Sequence, residues 1–207
     1  MRIYLVRHGQ SKNNALRLHQ HGGIPLSKYG LEQANRVGRR FKKIPVEVMI
    51  SSDFVRAQQT AEIINKYINK EIIFCELAEE RKRPSFIENS KRFDDQEVVK
   101  IKSQLRQHLN DPQWHYSDEE NFFDFKNRIQ NFIKYLTCRK ENNILVVSHG
   151  MTITMTTALL MFGNNINPNI FSQFTDFMRV RNTGITIIER KNDKWRLITW
   201  NDQTHLG

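Results

Sequence analysis

The sequence predicts an α/β fold, a three-layer α/β/α sandwich with a mostly parallel central sheet. Three observations carry that prediction. Short apolar runs at residues 3–6, 46–50 and 144–147 have the composition of strands buried on both faces. Segments with apolar residues at helical spacing lie between them. The two kinds alternate along the chain, which places helices over both faces of a parallel sheet.

The elements follow in order. Residues 3–6 (Ile-Tyr-Leu-Val) start a strand almost at the first residue. A loop with His21, Gly22, Gly23 and Pro25 leads to Ser27, an N-cap candidate for a helix with Leu31, Ala34, Val37 and Phe41 on one face. Pro45 resets the chain before the second strand. Ser51, Ser52 and Asp53 offer caps to a helix that carries Phe54, Ala57, Ala61, Ile64 and Ile68. Residues 72–74 (Ile-Ile-Phe) are a third strand.

Pro84-Ser85 should break any helix, and Val98, Ile101, Leu105 and Leu109 mark a modest one ended by Asp111-Pro112. Ser117 and Glu120 have capping-box spacing ahead of a helix with Phe122, Phe125, Ile129, Phe132 and Leu136. After the run at 144–147 comes a Thr-rich apolar helix to Phe162. Residues 185–188 and 195–200 are two closing strands, with Lys191-Asn-Asp193 as their hairpin turn.

Composition narrows the class. A chain of 207 residues with 39% hydrophobic residues and 13 Phe can bury a core of its own, and is not disordered. Two cysteines, Cys75 and Cys138, make no disulfide framework and suit a reducing, cytoplasmic setting. The longest apolar stretch, residues 153–162, is well short of the ~20 residues a membrane helix needs. The N-terminus lacks a signal-peptide pattern. The formal net charge of +10 is scattered over several basic groups without a zinc-finger or RNA-binding signature. It fits a solvated surface first, steering of an anionic substrate second and nucleic acid last.

In parallel sheets, ligands sit beyond the carboxyl ends of the strands. There the sequence has Arg7-His8-Gly9, Ser51-Ser52-Asp53 with Arg56 one turn on, Glu79-Glu80, and Ser148-His149-Gly150. One strand-end histidine is ordinary; two His-Gly pairs, each directly behind a buried run, are less so. Their separation matches no metal motif, and neighbouring arginines would repel a cation, so no metal and no cofactor are expected. Arginine instead matches phosphate oxygens in a bidentate fork.

A neutral imidazole can attack phosphorus, fixed cations can stabilise the transferring oxygens, and a carboxylic acid can protonate the leaving oxygen. Arg7 and Arg56 could supply that charge, and the amides of the helix that starts near Met151 could add to it. Arg56 alone reads as a surface charge on the polar face of its helix. Residues 79–83 (Glu-Glu-Arg-Lys-Arg) read equally well as a solvated loop.

These residues resemble a known signature. Leu5-Val-Arg-His-Gly-Gln-Ser11 is similar to the signature of the histidine phosphatase superfamily, also called phosphoglycerate-mutase-like. The resemblance continues in family order through Asn14, residues 25–34 (Pro-Leu-Ser-Lys-Tyr-Gly-Leu-Glu-Gln-Ala), residues 51–61 around Arg56, Val146-Val-Ser-His-Gly150 and Asn182-Thr-Gly184.

The resemblance implies one histidine phosphatase domain over 1–207 with a variable lid at about 81–121. It implies His8 as the nucleophile that becomes phosphohistidine. Arg7, Arg56 and His149 would complete a phosphate pocket, Asn14 would contact the phosphoryl group or substrate, and Ser11 would orient the pocket. Gln10 stands where the family often has Glu. The family's glycine and Trp-Glu-Gly segment after the acid are replaced by Glu80-Arg-Lys-Arg-Pro-Ser85, as in a phosphatase-type branch. Counting back from Pro84 selects Glu80 as proton donor; counting forward from Leu77 selects Glu79; Glu80 is the choice here.

The expected activity is that of a metal-independent phosphoric monoester hydrolase acting on a phosphorylated small molecule. A phosphoglycerate mutase, and a non-catalytic basic binding module on the same fold, are the alternatives. No membrane or nucleic-acid partner is expected, and a homodimer is allowed.

Overall fold

The computed structural model describes residues 1–88 and 91–207. Its centre is a six-stranded sheet in the order β3-β2-β4-β1-β5-β6. The strands are β1 (Arg2–Arg7), β2 (Val48–Ser51), β3 (Ile72–Phe74), β4 (Asn143–Ser148), β5 (Ile185–Lys191) and β6 (Lys194–Asp202). The first four run parallel, and β5 and β6 are added antiparallel on the β1 side. The fold is thus the expected mostly parallel α/β sandwich.

Alternation along β1, β2 and β4 sends successive side chains to opposite faces. Ile3, Leu5, Ile50, Ile144 and Val146 pack beneath α6 (Phe122–Thr137) and α7 (Gly150–Phe162), against Phe132, Leu136 and Ile153. Tyr4, Val6, Met49, Leu145 and Val147 face α2 (Lys28–Phe41) and α3 (Val55–Ile68), against Val37, Phe41, Ala61 and Ile64.

α7 is apolar around most of its circumference because it is buried. Its threonines are compatible with that: Thr154, Thr156 and Thr157 each give their hydroxyl to the carbonyl four residues earlier. No helix among the described residues is long and apolar enough to cross a membrane.

Three helices escaped the pattern reading: α1 (Lys12–Leu16) and α4 (Ser85–Glu88), too short for periodicity, and α8 (Pro168–Phe177), capped by the Asn167 side chain with proline in the first turn. Ser27 caps α2 as expected, accepting from Gly30 N–H. The hairpin turn is also as expected; Asn192 and Asp193 both take positive φ.

The Ser117–Glu120 capping box does not form. Asn121 and Asp124 make the box that starts α6. The Glu120 carboxylate goes instead to the Arg128 guanidinium at 2.6 and 2.8 Å, a stronger charge-assisted partner than a backbone N–H. As expected, no helix runs through Pro84 from the charged residues before it. The proline immediately precedes the one-turn α4 (Ser85–Glu88), where a proline is tolerated because the first N–H groups of a helix lack partners anyway.

The segment after β3 crosses the carboxyl edge of the sheet. It carries α4 and α5 (Gln96–Gln107), with a small core of Ile87, Val98 and Ile101. An isolated antiparallel bridge, Leu18 with Arg92, and the hydrogen bond from His19 N–H to Lys91 O (2.9 Å) tie it to the loop behind α1. At the far margin, the β5–β6 pairing is interrupted by register shifts near Ile185 and Ile187.

Candidate active site

The parallel ladder carries the site residues past the strand ends. His8 N–H bonds Ser148 O at 2.9 Å, and Ser52 N–H bonds Val147 O at 3.0 Å. The tails of β1, β4 and β2 therefore remain side by side where His8, His149 and Ser52 emerge. The His8 and His149 rings lie 5.0 Å apart between centroids.

The tautomer of His8 follows from its partners. Nδ1 lies 2.7 Å from Gly9 O, which can only accept, so Nδ1 carries the proton. Nε2 is then the lone-pair nitrogen, and Arg56 Nε–H donates to it at 3.2 Å. Burial, then the charges of Arg56 and Arg7, hold His8 well below the ordinary histidine range, so the ring is neutral.

His149 is buried and neutral for the same reasons, burial first and Arg56 second. Its Nε2 sits 2.8 Å from Ser52 Oγ. That hydroxyl also accepts from Phe54 N–H. His149 Nδ1 is buried without a partner, which leaves it for an incoming group.

Arg56 is 1% exposed, which overturns its reading as a surface charge. It lies on α3 but turns inward, giving Nη1 to the His21 carbonyl at 2.9 Å as well as Nε to His8. Burial pulls it down to about 10, with Glu80 the largest opposing influence, so it stays cationic at neutral pH. Arg7 gives Nη1 to Val180 O at 2.7 Å, while its Nε is buried and unpartnered. Burial also lowers Arg7, and Glu80 opposes it.

The two candidate acids separate by surroundings. The Glu80 carboxylate accepts from Met151 N–H (3.1 and 3.3 Å) at the start of α7 and from Arg81 N–H (3.0 Å). Glu79 is raised by burial first and by Asp53 second. Its carbonyl is used by Thr152 and Arg128, and its charge bears on Arg56 less than that of Glu80. Glu80 is therefore the acid that shares the field of both arginines.

Asn14 reaches the site through neighbours. Its Oδ1 accepts from Asn182 Nδ2 at 3.4 Å, and the same Nδ2 donates to His8 O at 2.9 Å. Ser11 caps α1 through Asn14 N–H and gives its hydroxyl to Gln20.

Sequence reasoning missed three supports. Ser52, placed by the sequence at a strand end and as a helix cap, contacts His149, a role the sequence did not assign. Thr60 Oγ1 holds Gly9 N–H at 3.0 Å, and nothing in the sequence pointed to it. Asn182 was visible only as part of a late turn.

The fold and the strand-end pairs of histidines and arginines define an α/β protein built around a cationic, imidazole-lined cup. A family model of the histidine phosphatase superfamily (branch 1) matches residues 3–203, and the chain belongs to that superfamily. Among relatives, the uncharacterized phosphatase PhoE of Bacillus subtilis (strain 168) is 27% identical over 207 residues, covering 99% of this chain and 96% of its own. The protein named "Probable phosphoglycerate mutase GpmB" of Proteus mirabilis (strain HI4320) is 26% identical, covering 100% of this chain and 95% of its own. In fold, the chain is similar to Bacillus stearothermophilus YhfR, with a TM-score of 0.82, 22% identity, and coverage of 100% and 99%.

Proposed function

We propose that the protein is a phosphoric monoester hydrolase that works through a phosphohistidine on His8, with residues 81–121 as its lid. The observation that carries this reading is the neutral His8 ring. Its proton is committed to Gly9 O, its Nε2 receives Arg56 Nε–H at 3.2 Å, and the His149 ring lies 5.0 Å away between centroids.

A phosphomonoester enters with its oxygens toward Arg7, Arg56 and His149 Nδ1, and Arg56 Nε–H moves from Nε2 to a phosphoryl oxygen. Nε2 attacks phosphorus as the P–O ester bond breaks, and Glu80 gives its proton to the leaving oxygen. Water then attacks the phosphohistidine and returns a proton to Glu80. Phosphate leaves, and His8 is neutral again. The guanidinium groups supply the positive charge at the transferring oxygens, so the scheme needs no cofactor. The relative named a phosphatase supports hydrolysis.

Rapid quenching with a 32P-labelled aryl phosphate tests the proposal. An acid-labile, base-stable label on His8 is expected, and His8→Ala should lose both label and turnover while keeping its circular dichroism. Turnover by folded His8→Ala would refute the nucleophile. The mutase-named relative supports a second reading, phosphoryl transfer between positions of phosphoglycerate. Interconversion of 3- and 2-phosphoglycerate faster than phosphate release would favour it.

A further inference from the structure

A cavity of about 290 Å³ opens beside the candidate acid. Met151 and Arg81, whose backbone N–H groups hold the Glu80 carboxylate, both line it. Its wall also includes the cations Arg83, Lys102 and Arg106, the apolar Leu105, and two acids, Glu119 and Glu120.

The cavity's own acids are already committed. Glu120 is spent on Arg128, and Glu119 on the N–H groups of Tyr116 and Ser117. Among the described residues, none of Arg83, Lys102 and Arg106 has a carboxylate within ion-pairing distance.

Arg83 instead points Nη1 at His19 Nδ1, 3.4 Å away. That ring offers no negative charge; burial and then the charges of Arg83 and Lys102 hold His19 down at about 3, so it is neutral. Glu88 takes only the Arg83 backbone N–H, and its charge is felt by both Arg83 and Arg56. Like charges gathered on one wall repel unless an anion joins them.

We propose that Arg83, with Lys102 and Arg106, forms a subsite for a second anionic group on the substrate, so that the lid selects phosphomonoesters carrying a further phosphate or carboxylate. This rests on the hydrolase reading and deepens it.

The test uses straight-chain alkyl phosphates about two to six carbons long whose far end is methyl, carboxylate or phosphate. The full-length protein should prefer an anionic far end over methyl by at least about tenfold in kcat/KM at one chain length, the scale of a charge-assisted contact. The carboxylate and phosphate arms identify which anion fits. Arg83→Gln and Lys102→Gln should each collapse that ratio severalfold, mainly through KM, and Arg83→Lys should restore most of it. Absence of any preference, or a preference untouched in folded Arg83→Gln, overturns the subsite.

Calorimetric binding of the same series separates the two readings. If no ester is hydrolysed but an anionic far end still tightens binding through Arg83, the subsite stands and hydrolysis falls. Hydrolysis of the methyl-ended esters with no far-end preference leaves hydrolysis standing and removes the subsite.

Discussion

At the scale of single residues, the proposed chemistry depends on where protons sit. His8 holds one on Nδ1, and the leaving oxygen would receive one from an acid. Glu79 and Glu80 are adjacent in sequence but occupy different fields, Asp53 beside the first and both arginines beside the second. Glu80→Gln should therefore slow alkyl phosphates, which need protonation, far more than nitrophenyl phosphate, which does not. A steeper leaving-group dependence in Glu80→Gln and a near-parallel one in Glu79→Gln is the expected pair of plots, and the reverse would shift the acid by one residue.

The depressed histidines carry a second expectation. With His8 and His149 neutral well below the usual range, the acid limb of kcat/KM should not reflect a histidine near pH ~6.5. A pH–rate profile that falls at that point, with the substrate's own ionisation accounted for, would contradict the buried neutral pair.

At the scale of elements, the site is positioned by close backbone packing between the β1 tail and α2. A Cβ added at Gly30 would lie 2.0 Å from the Gln10 carbonyl oxygen, and one at Gly9 would lie 2.5 Å from the Gly30 carbonyl. Only hydrogens fit there. Gly30→Ala should cost about 1–3 kcal/mol by overpacking and lower kcat by displacing the His8–Gln10 segment. Urea denaturation and steady-state kinetics on the same sample would show both.

This packing also bears on how much the sequence could reveal. The parallel strands β1, β2 and β4 were legible because each is a buried run with a distinct end, the edge strand β3 because its three apolar residues stand together, and the strand-end rule gathered His8, Arg56, Glu80 and His149. The burial of Arg56 was not legible, because a charge on an amphipathic helix reads as exposed until its partner is known. The start of α6 was misread because two capping candidates stand four residues apart, and only the fold shows that Glu120 prefers Arg128. The approach of Arg83 to Lys102 was invisible because the first lies in the loop before α4 and the second on α5, nineteen residues on.

Across the whole molecule, burial lowers four histidines: His8, His149, His19 to about 3 and His205 to about 4. The unfolded chain binds these protons near pH ~6.5 and the folded chain does not. Stability is therefore lost as pH falls from ~6.5 toward ~4. The raised acids Glu79 and Glu88 oppose this in the lower part of that window, where the folded state takes up their protons first. The urea midpoint should drop between about pH 7 and 5, and His19→Gln should flatten the slope. A midpoint that rises over that interval would mean the histidines are charged in the native state.

The interrupted pairing of β5 with β6 has a consequence for solubility. β6 is nine residues long and forms a free margin of the sheet, with Leu197 and Ile198 exposed. A straight ribbon of that kind would invite another molecule to zip onto it. The irregular pairing bends the ribbon, and Lys194 and Arg196 put positive charge along it. An identical margin approaching in solution would meet a warped, like-charged border, which opposes edge-to-edge pairing.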